Sequence, residues 1–305
     1  MMLSRILITL IIACQAGEVA AEASRYHGLC EASAAAYLDE KRFAVASDET
    51  NRILIYERGR PEWIDVVDFE EFTGLDKSDL EGAAVVGKRI YWISSHSFNK
   101  DGEDKPKRKL LFATDITGSG SASPLKPVGK AYGALRDPLA KAAMLKPAEI
   151  DIEGLAAAPG GGLFIGFRSP LQDKKALVVR LDNPGGVIDA GEEPRFSPPQ
   201  ALDLGGRGIR SLERVDGTGS YLIVAGPVFD AAGGFALYRW SGKDGAPKLI
   251  EGDQFDKLIP EALLAVPGTS TVQVLSDDGK GCAGNDEKAP RAENTFRSID
   301  IDVKP

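Results

Sequence analysis

Asp151-Ile152-Glu153-Gly154-Leu155-Ala156-Ala157-Ala158 is followed by a proline, a run of glycines and then Leu163-Phe164-Ile165-Gly166-Phe167-Arg168. An acidic residue thus opens a short apolar strand, a tight turn follows, and a second apolar strand ends on a charged side chain. The same unit recurs along the chain, and this recurrence decides the fold.

Five strand pairs of this kind can be laid over one another, and they begin at Cys30, Leu80, Asp151, Ile209 and Pro260. A third apolar strand follows each pair, and a weaker fourth strand follows the first four. Four-stranded units at this spacing predict an all-β fold, a five-bladed β-propeller. The fifth unit shows three strands, so we expect residues 25–28 to supply its fourth strand and close the ring, because an unpaired sheet edge is unfavourable.

The composition agrees with a single propeller domain over residues 24–305. The chain has 305 residues, of which 43% are hydrophobic, and its 34 glycines and 18 prolines indicate many turns. The net charge of -8 argues against a nucleic-acid partner, since binding a phosphate backbone requires a basic surface.

Residues 1–23 are predicted to be a signal peptide, with Arg5 before an apolar run and small residues after it. The run is shorter than the roughly 20 residues that span a bilayer, so no transmembrane segment is expected. Two forms remain open: a soluble periplasmic or secreted protein, and one that is lipid-anchored through Cys14, which ends a lipobox-like sequence. In either case the protein is exported, and Cys30 and Cys282 remain as a pair for a disulfide in an oxidising compartment.

The overlay of the repeats also predicts a polar site at one end of the central channel. Five residues should encircle that end, namely Glu31, Glu81, Glu153, Arg210 and Glu261. Four more should lie just outside them, at the ends of the returning strands, namely Asp48, His96, Arg168 and Asp277. Polar residues at the ends of buried strands are typical of sites built on a rigid scaffold.

The four glutamates of this ring, Glu31, Glu81, Glu153 and Glu261, are candidate metal ligands. Calcium is the cation they favour, because it takes 6–8 oxygen ligands, including carboxylates. The alternative is structural: each glutamate accepts hydrogen bonds from the neighbouring blade, while Arg168 and Arg210 balance the charge. Zinc is not expected, since the chain lacks clustered histidine and cysteine ligands.

Three residues are candidates for a catalytic role. His96 and Asp277 could transfer protons, and Arg168 could bind a phosphate or carboxylate bidentately, or simply pair with Glu153. A short helix over residues 139–146, with Asp137 as its N-cap, is also predicted between the second and third blades.

At these motifs the chain resembles the bacterial family called domain of unknown function 3616. The resemblance is carried by residues 80–99 (LEGAAVVGKRIYWISSHSFN), 151–170 (DIEGLAAAPGGGLFIGFRSP) and 206–227 (GRGIRSLERVDGTGSYLIVAGP), with 235–242 and 276–279 in addition. The chain is also distantly similar to the esterase-like phytase group, a likeness that implies phosphoester hydrolysis.

Two functions follow from this site. The first is a monomeric binding module for a small anion, a glycan or a protein at the channel rim. The alternative is calcium-assisted phosphoester hydrolysis, in which Glu81, Glu153 and Glu261 hold the ion and Arg168 binds the substrate, while His96 or Asp277 transfers protons.

Overall fold

The computed structural model of the chain consists of five antiparallel sheets of four strands each, which confirms the predicted five-bladed β-propeller. The structure describes residues 23–118, 123–215, 217–228, 234–243, 245–250, 255, 257–279 and 290–303. The predicted signal peptide, including Cys14, and Cys282 lie outside these residues. None of the helices among them is both long and apolar enough to cross a bilayer.

The first strand, β1 (Ser24–Gly28), belongs to the last blade, and the strands that follow are grouped four to a blade. Blade 1 contains β2 (Ala34–Tyr37), β3 (Arg42–Ala46), β4 (Arg52–Glu57) and β5 (Trp63–Asp68). Blade 2 contains β6 (Leu80–Val86), β7 (Arg89–Ser94), β8 (Leu111–Ile116) and β9 (Leu125–Tyr132). Blade 3 contains β10 (Asp151–Ala157), β11 (Leu163–Ser169), β12 (Ala176–Leu181) and β13 (Gln200–Leu202). Blade 4 contains β14 (Gly208–Val215), β15 (Ser220–Gly226), β16 (Ala236–Trp240) and β17 (Lys248–Ile250).

Blade 5 joins the two ends of the described chain. Its strands are β18 (Pro260–Ala265), β19 (Thr271–Ser276), β20 (Arg291–Asp302) and β1, in that order outward from the channel. Tyr26 of β1 lies opposite Phe296 of β20, and its ring also contacts Phe43 and Tyr56 of blade 1. The predicted N-terminal closing strand is therefore present, and it joins the last blade to the first.

The hydrophobic core is divided among the five blade interfaces. Each interface has its own cluster of buried side chains drawn from the two sheets that face each other. Between blades 3 and 4, for example, Phe164 packs edge-on against Tyr221, and Trp240 completes the group. Because successive side chains along a strand point to opposite faces of the sheet, one strand contributes to two interfaces.

Three short helices lie between strands: α1 (Glu70–Thr73), α2 (Arg136–Ala143) and α3 (Pro184–Ala190). The predicted helix over residues 139–146 is present as α2, but its predicted bounds and cap were wrong. The helix begins at Arg136 with Leu135 at the N-cap, and it ends early because Met144 adopts a left-handed backbone with φ of 59°. Leu139 and Ala143 bury its apolar side between blades 2 and 3.

The inner strands of neighbouring blades approach very closely at two glycines. A Cβ atom on Gly82 would lie 2.8 Å from Leu155 Cβ, and one on Gly154 would lie 2.8 Å from Ile209 Cγ2. Both glycines directly follow a rim glutamate, so the Glu-Gly pairs of blades 2 and 3 combine a polar rim residue with tight packing of the ring.

The replacement Gly154→Ala is therefore expected to lower the free energy of unfolding by about 1–3 kcal/mol, through overpacking against Ile209. Urea denaturation measures the change. Gly118→Ala is the matched control, because a Cβ there meets no atom within 4 Å, and it should change stability by less than about 0.5 kcal/mol. Equal effects of the two substitutions would contradict the close approach.

Candidate functional site

The rim residues of blades 2 to 5 all occupy the same irregularity of the inner strand. The register of the strand pair shifts around Glu81, Glu153, Arg210 and Glu261, each of which has no partner across the sheet. A β-bulge of this kind adds one residue and changes the direction of its side chain. Glu31 of blade 1 precedes β2 by a short segment. The overlay of the repeats thus matches the positions in the structure.

The channel between the inner strands is too narrow for an organic ligand. Glu81 and Glu153 line it together with small and apolar residues, and its free volume is about 10 Å³. That is room for about one water molecule or a bare ion. Any larger ligand must therefore bind on the rim rather than inside the channel.

On one side of the rim, the carboxylates are paired with arginines; we call Glu153, Arg168, Arg210 and Glu261 the arginine half. Arg210 contacts Glu153 through two nitrogens, at 2.9 and 3.0 Å, and also pairs with Glu261. Arg168 donates to Glu153 Oε1 at 2.9 Å. Burial raises the pKa of Glu153 to about 8 and that of Glu261 to about 7, and in both cases Arg210 opposes the shift.

On the other side, carboxylates predominate; we call Glu31, Asp48, Glu49, Asp79 and Glu81 the acidic half. Oxygen atoms of Glu31, Asp48 and Glu49 lie within 4.8 Å of one another, and so do those of Asp48, Asp79 and Glu81. Lys77 pairs with Glu49, and Arg108 lies 3.1 Å from Asp79. Two cations thus face five carboxylates, which leaves an excess of negative charge when all five are ionised.

Burial and this excess of negative charge raise the pKa values of carboxyl groups in the acidic half. Burial, and after it repulsion from Asp48 and Asp277, raises the pKa of Glu31 to about 8. Burial and the charge of Glu49 raise the pKa of Asp48 to about 6. Burial and four neighbouring carboxylates raise the pKa of Glu81 well above its usual range. Glu31 therefore holds a proton near neutral pH, and Asp48 holds one at about pH 6 and below, unless a cation replaces the protons.

Glu81 differs from Glu153 and Glu261 in what surrounds its carboxylate. Within the described part of the chain, no hydrogen-bond donor or cationic side chain contacts it, whereas both other glutamates pair with Arg210. Glu81 is half-buried and lines the channel. A carboxylate in this position requires either a proton or a bound cation to offset the cost of burial.

His96 lies outside both halves of the rim. Its side chain is fully buried, and neither ring nitrogen has a hydrogen-bond partner among the described residues. Arg136 of α2 donates to the His96 carbonyl at 3.5 Å and pairs with Asp104 at 2.6 Å, so the start of α2 lies beside His96. Burial and the nearby Arg136 charge lower the pKa of His96 to about 3.

The His96 imidazole is accordingly expected to stay neutral from about pH 5 to about pH 8. Its Cε1–H resonance should keep a constant chemical shift through that range. The replacement His96→Gln identifies the resonance by its disappearance from the spectrum. A titration midpoint within the range would contradict the burial described above.

Asp277 and Arg168 both lie at the rim but are engaged in contacts. Asp277 accepts the Gly279 N–H at 2.7 Å, and its charge raises the pKa of both Glu31 and Glu261. Arg168 is shared between Glu153 and the more distant Asp151, at 4.0 Å. The structure thus brings Asp277 close to the predicted metal ligands and holds Arg168 in the arginine half.

The sequence interpretation did not include Asp79 or Glu49 in the site. For Asp79 a signal was available, because Asp79-Leu80-Glu81-Gly82 matches Asp151-Ile152-Glu153-Gly154 residue for residue in type. The predicted Cys30–Cys282 disulfide stays a prediction, since Cys282 lies outside the described residues. Cys30 itself is buried next to the closing blade, where its carbonyl accepts the Asp278 N–H at 2.8 Å.

Comparison with solved structures supports the fold. Glutaminyl cyclase of Myxococcus xanthus is similar with a TM-score of 0.52 and 12% identity, over 92% of this chain and 96% of that one. The PQQ-bound aldose sugar dehydrogenase of Streptomyces coelicolor gives 0.45 and 13%, over 92% and 99%. At 12% identity the likeness to the glutaminyl cyclase concerns the fold alone. No curated protein matches the chain.

The family comparison agrees with the resemblance seen in the sequence. The model described as "Protein of unknown function (DUF3616)" matches residues 142–266, which run from the end of α2 through blades 3 and 4 into blade 5. The distant likeness to the phytase group stays a prediction. The resemblance to the DUF3616 family is thus confirmed over residues 142–266 of a chain that folds as a five-bladed β-propeller.

Proposed function

We propose that the protein is a binding module that holds a calcium ion in the acidic half of its channel rim. The bound ion would coordinate oxygen atoms of a ligand that rests on the rim, whether the ligand is a small anion, a glycan or a protein. Two clusters of three carboxylate residues carry the proposal. They share Asp48, and one of them contains Glu81, which no cation or hydrogen-bond donor contacts within the described part of the chain.

The spacing of the carboxylates supports calcium. Calcium–oxygen distances of about 2.3–2.6 Å allow two ligand atoms on opposite sides of the ion to be about 5 Å apart. The oxygens of Asp48, Asp79 and Glu81 fall within 4.8 Å of one another, so one ion can contact all three. Backbone carbonyls and water supply the remaining ligands that calcium needs, and the ligand's own oxygens can replace the water.

The charge distribution favours the acidic half, rather than the complete ring of glutamates, as the calcium site. Glu153 and Glu261 were predicted as metal ligands together with Glu31 and Glu81. Arg210 already pairs with the first two, Arg168 adds a second cation at Glu153, and bringing a metal ion next to these guanidinium groups is unfavourable. The proposal therefore retains Glu81 as a ligand and adds Asp48 and Asp79, while Glu31 belongs to the neighbouring group that shares Asp48.

Export is part of this proposal. A signal peptide over residues 1–23 would deliver the protein to the periplasm or the exterior, with lipidation of Cys14 as the alternative. In that compartment a Cys30–Cys282 disulfide would form, and it would join the first and last blades. Counting free thiols before and after reduction tests the disulfide directly.

Calcium titration by calorimetry on the purified protein at about pH 8 tests the ion site. We expect one calcium per chain, and we expect Asp48→Asn combined with Glu81→Gln to weaken binding by at least about 100-fold, since two of the anionic ligands are lost. Glu71→Gln on α1 is the control, because this exposed carboxylate lies outside the rim and its loss should leave binding unchanged. Binding that the double variant retains would disprove the site.

Hydrolysis of a phosphoester is not included in the proposal. The reaction requires a group that transfers a proton at the rim. Of the two predicted proton-transfer residues, His96 is fully buried and its pKa is lowered to about 3, so it exchanges no proton near neutral pH. A phosphoesterase screen that detected calcium-dependent turnover, lost in Arg168→Ala, would require that function to be added.

A further inference from the structure

A large cleft lies beside the arginine half, between blades 3 and 4. It is bounded by the segment after β11, the segment before β14 and the segment after β15, all of which are at the same end of the ring as Arg168 and Arg210. The cleft has a volume of about 850 Å³. Pockets of about 300–1,000 Å³ are typical of small-molecule sites, whereas the channel holds no more than an ion or a water molecule.

The side walls of the cleft are apolar and stiff. Pro170, Leu171, Pro227 and Val228 form them, and the pyrrolidine rings restrict the backbone on both sides. Gly205 and Gly206 also line the cleft, and their φ angles of 66° and 79° favour glycine. A Cβ on Gly206 would meet no atom within 4 Å, so the backbone here is open to a ligand.

Arg207 gives the cleft a fixed positive charge. Its Nε donates to the Gly234 carbonyl at 2.9 Å and its Nη1 to the Leu204 carbonyl at 3.4 Å. These carbonyls orient the guanidinium without neutralising it, and no carboxylate lies within 4.0 Å of it in the described part of the chain. Because guanidinium groups bind planar or tetrahedral oxyanions with charge-assisted hydrogen bonds, Arg207 selects an acidic head group.

Among the described residues that line the cleft, Glu149 is the acidic one, and it does not cancel this charge. Glu149 accepts the Lys146 N–H at 2.8 Å, and the Lys146 ammonium lies 3.9 Å from its other oxygen. Glu149 is therefore engaged by Lys146, the residue three positions before it, while Arg207 carries no carboxylate partner in the part of the chain that the structure describes and is available to a ligand.

We propose that the cleft between blades 3 and 4 binds a small organic acid, with its carboxylate or phosphate on Arg207 and its apolar body between Pro170, Leu171, Pro227 and Val228. This site is separate from the calcium site and does not depend on it. The apolar walls bind the apolar part of the ligand, and the oriented guanidinium of Arg207 selects for its acidic head group.

Ligand-observed NMR and calorimetry in EDTA test the cleft without any contribution from calcium. The probes are 3-phenylpropionate, its uncharged amide, phenyl phosphate and acetate. We expect at least one aromatic acid to bind with a Kd below about 1 mM, and we expect the amide and acetate each to bind at least about 10-fold more weakly. The comparison of 3-phenylpropionate with phenyl phosphate identifies the head group.

Two variants complete the test. Arg207→Gln keeps a donor but removes the charge, and it should weaken binding of the acid by at least about 10-fold. Arg214→Gln is the control, since this exposed arginine lies toward the other end of β14 and should not affect binding. Equal binding of acid and amide, equal binding by wild type and Arg207→Gln, or no binding of either aromatic acid would each overturn the proposal.

Discussion

The replacement Arg210→Met is expected to lower the free energy of unfolding at about pH 8 by about 3–5 kcal/mol, because it leaves the buried Glu261 without its cation and Glu153 with Arg168 alone. Arg210 contacts Glu153 through two nitrogens and Glu261 through a third contact, and only 7% of the residue is exposed. Methionine roughly preserves the volume of the side chain, so the loss isolates the charge rather than a cavity.

The same variant is expected to recover much of its stability at about pH 5. Burial already raises the pKa values of Glu153 to about 8 and of Glu261 to about 7 against the opposing effect of Arg210. Without the arginine both pKa values rise further, so protonation removes the repulsion as the pH falls. Urea denaturation at the two pH values measures both effects.

Arg214→Met on the same strand is the control for this experiment. Arg214 is exposed, and its loss should change stability by less than about 0.5 kcal/mol at either pH. If Arg210→Met were as stable as the control at about pH 8, the arginine half would not hold its carboxylates in the way described.

The second large effect concerns the wild-type protein in calcium-free buffer. Its free energy of unfolding is expected to decrease as the pH rises from about 5 to about 8. In the folded protein the pKa values of Glu31 and Glu153 are about 8 and that of Glu261 is about 7, whereas the unfolded chain loses these protons near pH 4.3. The folded state therefore binds more protons between these values, and stability falls with rising pH by about 1.4 kcal/mol per pH unit for each extra proton that the folded state holds, until that proton dissociates.

Calcium should reduce this loss of stability, because the ion replaces protons in the acidic half. At a free concentration of about 100 times its Kd, calcium adds about 2.7 kcal/mol to the free energy of unfolding. Denaturation with and without the ion, at several pH values, measures the difference. Glu31→Gln should reduce the slope in calcium-free buffer, and Glu71→Gln should leave it unchanged. A free energy of unfolding that rises over this pH range would contradict the raised pKa values of the rim carboxyl groups.

The fold was predictable because its evidence is local and repeated. Each blade contains its own alternation of apolar strands and turns, so the count of five and the equivalence of Glu81, Glu153, Arg210 and Glu261 follow from overlaying the chain on itself. The closing strand was predictable too, since a three-stranded last unit needs a partner and residues 25–28 offer one.

The division of the rim into two halves was not predictable from the overlay. It depends on which oxygen each arginine reaches across the channel, and the repeat pattern does not contain that information. The contact between Arg136 and the His96 carbonyl likewise involves α2, an element outside the repeat, while the cleft at Arg207 requires segments from two blades. Long-range placement, rather than local propensity, determines these features.

Diffraction from crystals grown with calcium tests the central claim most directly, using the anomalous signal of the ion. We predict one anomalous peak at the rim, within about 2.3–2.6 Å of carboxylate oxygens of Asp48, Asp79 and Glu81. A peak among Glu153, Arg210 and Glu261, or a rim without any peak in saturating calcium, would contradict the account.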